Sequence, residues 1–254
     1  MNINRRKFLK VGGVLALGLS IAPVSGVLAG VKGKYMPNSK ALTGKNWAMV
    51  IDMKKLDQDI DACITACHKE HNVPDIGNKK EEVKWAWTDK YGHLFHDNKH
   101  EYMNEEMEHK DFLALCNHCE NPACVRVCPT QATFKSKDGI VMMDYHRCIG
   151  CRYCMAGCPY GARSFNFKDP RPFIEETNPA YPTRTKGVVE KCNFCVERLA
   201  KGLIPACAEA SKNGGILFGD LEDPNSEVRK ILDTQFTVQR RPSLGTKPKV
   251  FYIL

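Results

Sequence analysis

No acidic side chain precedes Asp52, and beyond Val31 no charge-free run approaches the ~20 residues that span a bilayer. The chain after its leader is therefore expected to be soluble by itself. It has no phosphate-binding glycine loop, no dinucleotide fingerprint and no nucleophile–base constellation. Nucleotide-dependent and covalent hydrolytic chemistry are thereby excluded. Aromatic residues make up only 9%, and no basic stripe interleaves with them, which removes a nucleic-acid reading of the +8 net charge. An apolar content of 43% with 26% charged residues excludes disorder and collagen. The length, 254 residues, allows one large domain or two small ones. Cysteine alone is in excess, at 13. That number is odd, and a chain this long buries a core without disulfide staples. Thiols this dense point to metal.

The leader reads as an address. Asn4-Arg5-Arg6-Lys7-Phe8-Leu9-Lys10 precedes a charge-free stretch from Val11 to Val31, with a small-residue site at Val27-Leu28-Ala29. A basic start, an apolar middle and a small-residue end make an export signal over residues 1–29. The paired arginines resemble the twin-arginine signal, with Asn4 where Ser or Thr is usual. A retained membrane anchor is the alternative, and five glycines with Pro23 weaken it. In proteins with such a leader the cargo crosses already folded around its cofactor. Thiols that already hold a cofactor do not pair as disulfides in an oxidising compartment.

The cysteines form four blocks. Cys116, Cys119, Cys124 and Cys128 read C-x2-C-x4-C-x3-C, followed by Pro129. Cys148, Cys151, Cys154 and Cys158 read C-x2-C-x2-C-x3-C, followed by Pro159. The latter is the bacterial ferredoxin run, in which three close thiolates grip one four-iron cubane and the fourth serves its neighbour. Zinc is the alternative, but zinc knuckles rarely repeat a Cys-Pro fourth ligand. The first block holds only Cys63 and Cys67, with Asp57 and Ile60 at the first two positions. The last block holds Cys192, Cys195 and Cys207, with Ser211 where a fourth cysteine falls.

Longer stretches carry a resemblance. Val50-Ile51-Asp52, Asn72-Val73-Pro74, Cys119-Glu120-Asn121-Pro122, Cys148-Ile149-Gly150-Cys151-Arg152-Tyr153-Cys154, Cys158-Pro159-Tyr160-Gly161-Ala162-Arg163, Lys191-Cys192-Asn193-Phe194-Cys195 and Phe218-Gly219-Asp220 resemble the four-cluster ferredoxin-like subunits of membrane redox complexes. Those complexes include polysulfide, tetrathionate and nitrite reductases and formate dehydrogenases. The resemblance covers about residues 46–254. It implies an α+β fold of paired bacterial-ferredoxin-like units with loop-rich insertions. The inner unit is residues 112–167, the outer unit 46–74 plus 187–220, and a His-rich insertion fills 68–115.

In that family, blocks two and three exchange fourth cysteines, and blocks one and four do likewise. The resemblance therefore implies one set of Cys116, Cys119, Cys124 and Cys158, and a second of Cys148, Cys151, Cys154 and Cys128. A third comprises Cys192, Cys195, Cys207 and Cys67. The block-one set would fall on Asp57, Ile60, Cys63 and Ser211, and holds one thiol. Twelve cysteines thus make three [4Fe-4S] clusters and leave Cys63 over. A degraded fourth cluster on Asp57, Cys63 and Ser211 is the alternative, opposed by Ile60.

Clusters also bear on charge. Removing Arg5, Arg6, Lys7 and Lys10 leaves an excess of +4, which three oxidised clusters of about −2 each would more than offset. Arg126, Arg147, Arg152 and Lys191 are candidates for tuning potential, or are ordinary surface cations.

Short strands are expected over Trp47–Asp52, Gly139–Met143, Val188–Glu190 and Gly215–Phe218, and helices over Glu197–Leu203, Pro205–Ala210 and Ser226–Asp233. The stretch from Pro170 to Pro182 reads as a surface crossover. Six of the eight histidines (His68, His71, His93, His96, His100 and His109) lie between Cys67 and Cys116. The spacing of His93, His96 and His100 would bring imidazoles together on a helix, as metal or haem ligands. The neighbouring charges favour a docking or solvated surface. His118 and His146 beside ligand cysteines suit supporting hydrogen bonds.

No substrate site is expected: the chain reads as an electron-transfer subunit, not an enzyme. The missing block-one set resembles the periplasmic iron–sulfur subunits of sulfite-reduction-associated membrane complexes of the DsrMKJOP type. The partners then implied are an integral membrane quinone-interacting subunit and a multihaem cytochrome c, with no nucleic acid and with membrane contact only through those partners. A subunit of a molybdopterin or nitrite reductase is the alternative. A cluster-stabilised structural or maturation factor and a freely diffusing ferredoxin are further ones.

Overall fold

The computed structural model describes residues 37–254, so the expected export signal lies outside the described residues. Nine strands occur among them: β1 (Trp47–Asp52), β2 (Ala86–Lys90), β3 (Asp111–Leu115), β4 (Thr133–Lys135), β5 (Val141–Met143), β6 (Ser164–Phe165), β7 (Val189–Glu190), β8 (Ile216–Asp220) and β9 (Val250–Ile253). The helices are α1 (Met53–Leu56), α2 (Ile60–His71), α3 (Tyr91–Leu94), α4 (Glu105–Glu108), α5 (Ala123–Arg126), α6 (Tyr153–Ala156), α7 (Val196–Leu199), α8 (Ala206–Ala210) and α9 (Glu227–Thr234). Most are single turns, as befits loops that wrap thiols. No helix among the described residues is long and apolar enough to cross a membrane.

The largest sheet has order β8-β1-β9. β1 is buried at all six positions, which suits its central place. It runs antiparallel to β8, with Met49 opposite Phe218, and parallel to β9, with Met49 opposite Val250. Successive side chains alternate faces. Met49 and Ile51 join the main core, while Ala48 and Val50 pack with Val228 of α9. Three two-stranded pairs complete the framework: β2 with β3, β4 with β5, and β6 with β7.

α2 exists because Ile60, Cys63, Cys67 and His71 recur on one face, and all four are buried. Asn72 ends it in the left-handed region (φ 52°), donating its N–H to His68 O.

The expected strands and helices form with shifted ends. Gly139 stays out of β5 because its φ of +81° is a turn conformation. The helix expected over 197–203 stops at Leu199, and Gly202 turns the chain at φ +83°. In the Pro170–Pro182 crossover, Asn178 ties back to Asn72, its carbonyl accepting from Asn72 Nδ2 at 3.0 Å, and Tyr181 is buried.

The His-rich insertion departs from expectation. Its framework is the β2–β3 hairpin, and Trp85, Ala86, Trp87, Tyr91, Leu94, Phe95 and Phe112–Leu115 sit in the main core. His93, His96 and His100 do not share a helix. His93 lies in α3, His96 opens a 3-10 turn (His96–Asn98), and His100 is in an exposed loop. His93 pairs with Asp89 at 2.9 Å and His96 with Asp97 at 2.7 Å, so neither imidazole is aimed at a common point.

Candidate metal centres

Three loops of the form Cys-x-x-Cys share one backbone device. The residue just before the second cysteine is left-handed in each: His118 (φ 42°), Gly150 (φ 70°) and Phe194 (φ 55°). A left-handed residue in such a loop turns successive N–H groups inward and builds an anion-binding concavity. At two of the three positions a side chain tolerates a conformation that normally favours glycine, at a cost of order 1–3 kcal/mol each. Phe194 N donates to Cys192 Sγ at 3.4 Å, and Ala206 N to Cys195 Sγ at 3.4 Å.

The first set closes round a cavity. Cys116, Cys119, Cys124 and Cys158 line it together with Asn117, Val141, Tyr160, Arg163 and Thr246. Burial, and then Cys116, pushes the Cys119 thiol up to about 12. Burial followed by Cys116 also raises Cys158, against N–H groups of Tyr160 and Ala162 that favour its thiolate. The fourth cysteine of block three thus stands among the thiols of block two.

The second set is nearer the surface. Cys154 is buried, Cys148 half-buried and Cys151 exposed. Burial raises Cys154, Arg163 opposes the rise, and Cys124 and Cys148 add to it. Cys128 follows α5, which packs on α6: a Cβ on Gly157 would stand 3.1 Å from Val127 Cγ2. Burial would raise the Cys128 thiol, but backbone N–H groups of Thr133, Thr130 and Ala132 hold it below the ordinary thiol range. That is the environment of a thiolate ligand.

The third set is built by α2 packing along α8. Cys67, Cys192, Cys195 and Cys207 are all buried. Burial, then Cys192 and Cys207, drives Cys67 well above its ordinary value, and burial followed by Cys207 and Cys67 does the same to Cys195. Burial takes Cys207 up to about 11. Thiols that raise one another in a dry core become thiolates only around a cation.

Block one lacks this arrangement. Asp57 is in the right-handed helical region and faces out, with a carboxylate oxygen 3.6 Å from Lys110 Nζ. Ile60 and Cys63 are packed into the apolar core. The Ser211 hydroxyl accepts from Gly215 N at 2.9 Å. Backbones close up here: a Cβ on Gly215 would lie 2.9 Å from Leu56 Cα. Burial, then Cys207 and Asp59, pushes the Cys63 thiol up to about 12.

Two buried cations lie among the thiols. Lys191 Nζ donates to Val141 O and, at 2.6 Å, to Cys192 O, and no carboxylate among the described residues pairs with it. Arg163 donates Nη2 to Cys124 Sγ at 3.1 Å and Nη1 to Thr133 Oγ1 at 3.0 Å. A buried cation with only neutral or thiol partners needs negative charge nearby. Neither side-chain polar atom of Asn117, buried on the wall of the first cavity, has a partner in the protein. These features fit anionic four-iron clusters. Arg126, Arg147 and Arg152 are on the surface: Arg147 pairs with Asp144 at 3.3 Å, and Arg152 lies over the Phe165 ring at 5.5 Å. Of the four cations named from the sequence, only Lys191 is buried among cysteines. Sequence reasoning misses Arg163, although it closes the Cys158-Pro159-Tyr160-Gly161-Ala162-Arg163 stretch and is a charge in an otherwise uncharged run.

His118 is buried and stacked on Phe194 at 3.7 Å, accepting from Val141 N at 3.1 Å. Burial, then Lys191, holds its pKa well below the ordinary imidazole value, so it is neutral. His146 is exposed. His71, Cys195 and Glu197 also converge within 4.8 Å. Both imidazole nitrogens of His71 are engaged, Nδ1 with Cys67 O at 2.9 Å and Nε2 with Glu197 Oε1 at 2.6 Å. That histidine braces the loop rather than completing a separate metal site.

Comparison with known proteins follows the same residues. Residues 108–171 match the family described as 4Fe-4S dicluster domain. The chain is 41% identical over 275 residues to the Hdr-like menaquinol oxidoreductase iron-sulfur subunit 1 of Archaeoglobus fulgidus, with 98% of this chain and 97% of that protein covered. It is 35% identical over 256 residues to a tetrathionate reductase subunit of Salmonella typhimurium, covering 100% and 89%. It is also 35% identical over 234 residues to the menaquinone reductase iron-sulfur cluster-binding subunit of Nitratidesulfovibrio vulgaris, covering 82% and 88%.

Proposed function

The chain belongs to the iron–sulfur electron-transfer subunits of membrane-associated oxidoreductase complexes, with a 4Fe-4S dicluster ferredoxin-like domain of mixed α and β structure, and from that premise we propose its particular place among them. It carries three [4Fe-4S] clusters, in paired ferredoxin-like units, on the three cysteine sets described above. It relays electrons between a quinone-interacting membrane subunit and a multihaem cytochrome c, in a complex of the DsrMKJOP type. Its counterpart there is DsrO, the iron–sulfur subunit. It has no substrate site of its own, and the twin-arginine leader exports it folded to the periplasm.

One observation carries this reading. Three loops repeat the same left-handed turn before the second cysteine, while the block-one corner is filled by Ile60, Cys63 and the Leu56–Gly215 approach. In the reductases that the sequence resembles, the block-one cluster stands nearest a molybdopterin subunit. Its loss favours a complex without one.

When bound, the clusters would supply one-electron transfer with little change of geometry, charge being spread over four irons. The chain's own residues set the conditions. Buried Cys67, Cys192, Cys195 and Cys207 keep water from one site. N–H donors at Cys192, Cys195 and Cys128 favour the thiolate. The exposed Cys151, flanked by exposed Ile149 and Tyr153, opens another site to a partner.

The test is mass spectrometry of what co-purifies from gently solubilised membranes. A multihaem cytochrome with a quinone-site membrane protein, and no molybdopterin subunit, is the expected result. A stoichiometric molybdopterin subunit would overturn the assignment.

A further inference from the structure

Lys191 and Arg163 form a pair in the sense that each is buried against two cysteine sets. Lys191 leads into block four, and its ammonium reaches back to Val141 O, on the wall of the Cys116–Cys158 cavity, while also holding Cys192 O. One cation therefore joins the first set to the third. Arg163 lines the same cavity from another side and donates to Cys124 Sγ at 3.1 Å. Its Nη1 donates at 3.0 Å to Thr133 Oγ1, the residue whose N–H serves Cys128 of the second set, and its charge opposes the rise of the Cys154 thiol of that set. Arg163 therefore joins the first set to the second. Lys191 is 1% exposed and Arg163 4%, so water does not screen either charge.

We propose that Lys191 and Arg163 are interposed cations, one in each gap between successive clusters, that set the potentials of the clusters on either side. The inference rests on the three-cluster reading. An electron entering a four-iron cluster adds one negative charge, and a neighbouring cluster already negative opposes it. A fixed positive charge in the gap stabilises the reduced form on both sides. The cation cannot be replaced by solvent, because the gap is dry. The Cys116 set is distinguished by having both cations beside its cavity, whereas each of the other two sets has one beside it. A merely structural lysine or arginine would not impose this pattern.

The experiment is potentiometric titration of the anaerobic holoprotein, monitored by electron paramagnetic resonance, on wild type, Lys191→Met and Arg163→Met. Lys191→Arg and Arg163→Lys retain the charge and serve as controls for packing. Iron is counted in every preparation. Each Met variant should lower two of the three midpoints, by about tenfold in the reduction equilibrium constant, or about 59 mV for one electron. One midpoint should fall in both variants, and the charge-retaining variants should recover most of the shift. The inference is overturned if, with about 12 iron atoms retained, no midpoint moves, all three move alike, or the two variants share no affected midpoint. Wild type with a different iron count would overturn the three-cluster reading instead. If the Met variants lose iron, the Arg and Lys variants decide: unchanged midpoints support charge as the cause, and midpoints lowered as far as any residual Met signal refute it.

Discussion

Cys63 and Cys67 lie one turn apart on α2, and replacing each by alanine separates their roles. Cys63 is 0% exposed and packed in the apolar core, with its thiol pushed up to about 12 chiefly by burial. Removing its sulfur leaves a void of roughly one methylene, so Cys63→Ala should cost ~1 kcal/mol of stability. Its iron should stay at about 12 atoms per chain. Cys67 faces Cys192, Cys195 and Cys207. Cys67→Ala leaves three thiolates there, so iron should fall to about 8 if the site empties, or about 11 if a three-iron cluster survives. Iron and acid-labile sulfide per chain, with the resonance spectrum of the reduced protein, read both outcomes. Cys67→Ala retaining about 12 iron atoms while Cys63→Ala loses them would refute the division of the block-one cysteines.

Two further substitutions test the framework. Glu190 is 0% exposed and accepts from Arg184 at 2.6 Å and from Trp85 Nε1 at 2.9 Å. Glu190→Ala strands the buried guanidinium and should cost about 3–5 kcal/mol in denaturant unfolding, and a cost below about 1 kcal/mol would contradict the ion pair. Lys249 is held down to about 8 from the usual 10.5, first by burial. The unfolded chain keeps this proton to higher pH than the folded one, so the cost of burying the charge is full below about pH 8 and gone above about pH 10.5. Between those values Lys249→Met should show less gain of thermal stability with rising pH than wild type, and parallel profiles would count against it.

Much of the grouping of the cysteines was legible because spacing is local. The Cys-x-x-Cys loops at 116–119, 148–151 and 192–195 share one left-handed turn, whereas the x3 spacing of Cys63 and Cys67 falls inside α2. The regular elements were legible in part. β1 and β8 follow from alternation, but β9 is too short to stand out, and its parallel place beside β1 depends on a partner about two hundred residues away. The β2–β3 hairpin was hidden by composition: four histidines and many charges between its strands outweighed the Trp85–Trp87 alternation and the Phe112–Leu115 run that build the core. α2 could have been read from Ile60, Cys63, Cys67 and His71, had the cysteines been counted as apolar positions as well as ligands. Arg163 was out of reach because its meaning lies in the gap it fills. No sequence pattern marks a cation that holds a thiol of one block and a strand residue beside another.

The central claim concerns how many clusters the chain holds. Native mass spectrometry of the anaerobically purified holoprotein measures this directly, as mass above that of the mature polypeptide. The account predicts three four-iron, four-sulfide increments, about 12 iron and about 12 sulfide in all, with Cys63 the one cysteine left without a cluster. A species with four increments, or with two as its fully loaded form, would contradict it.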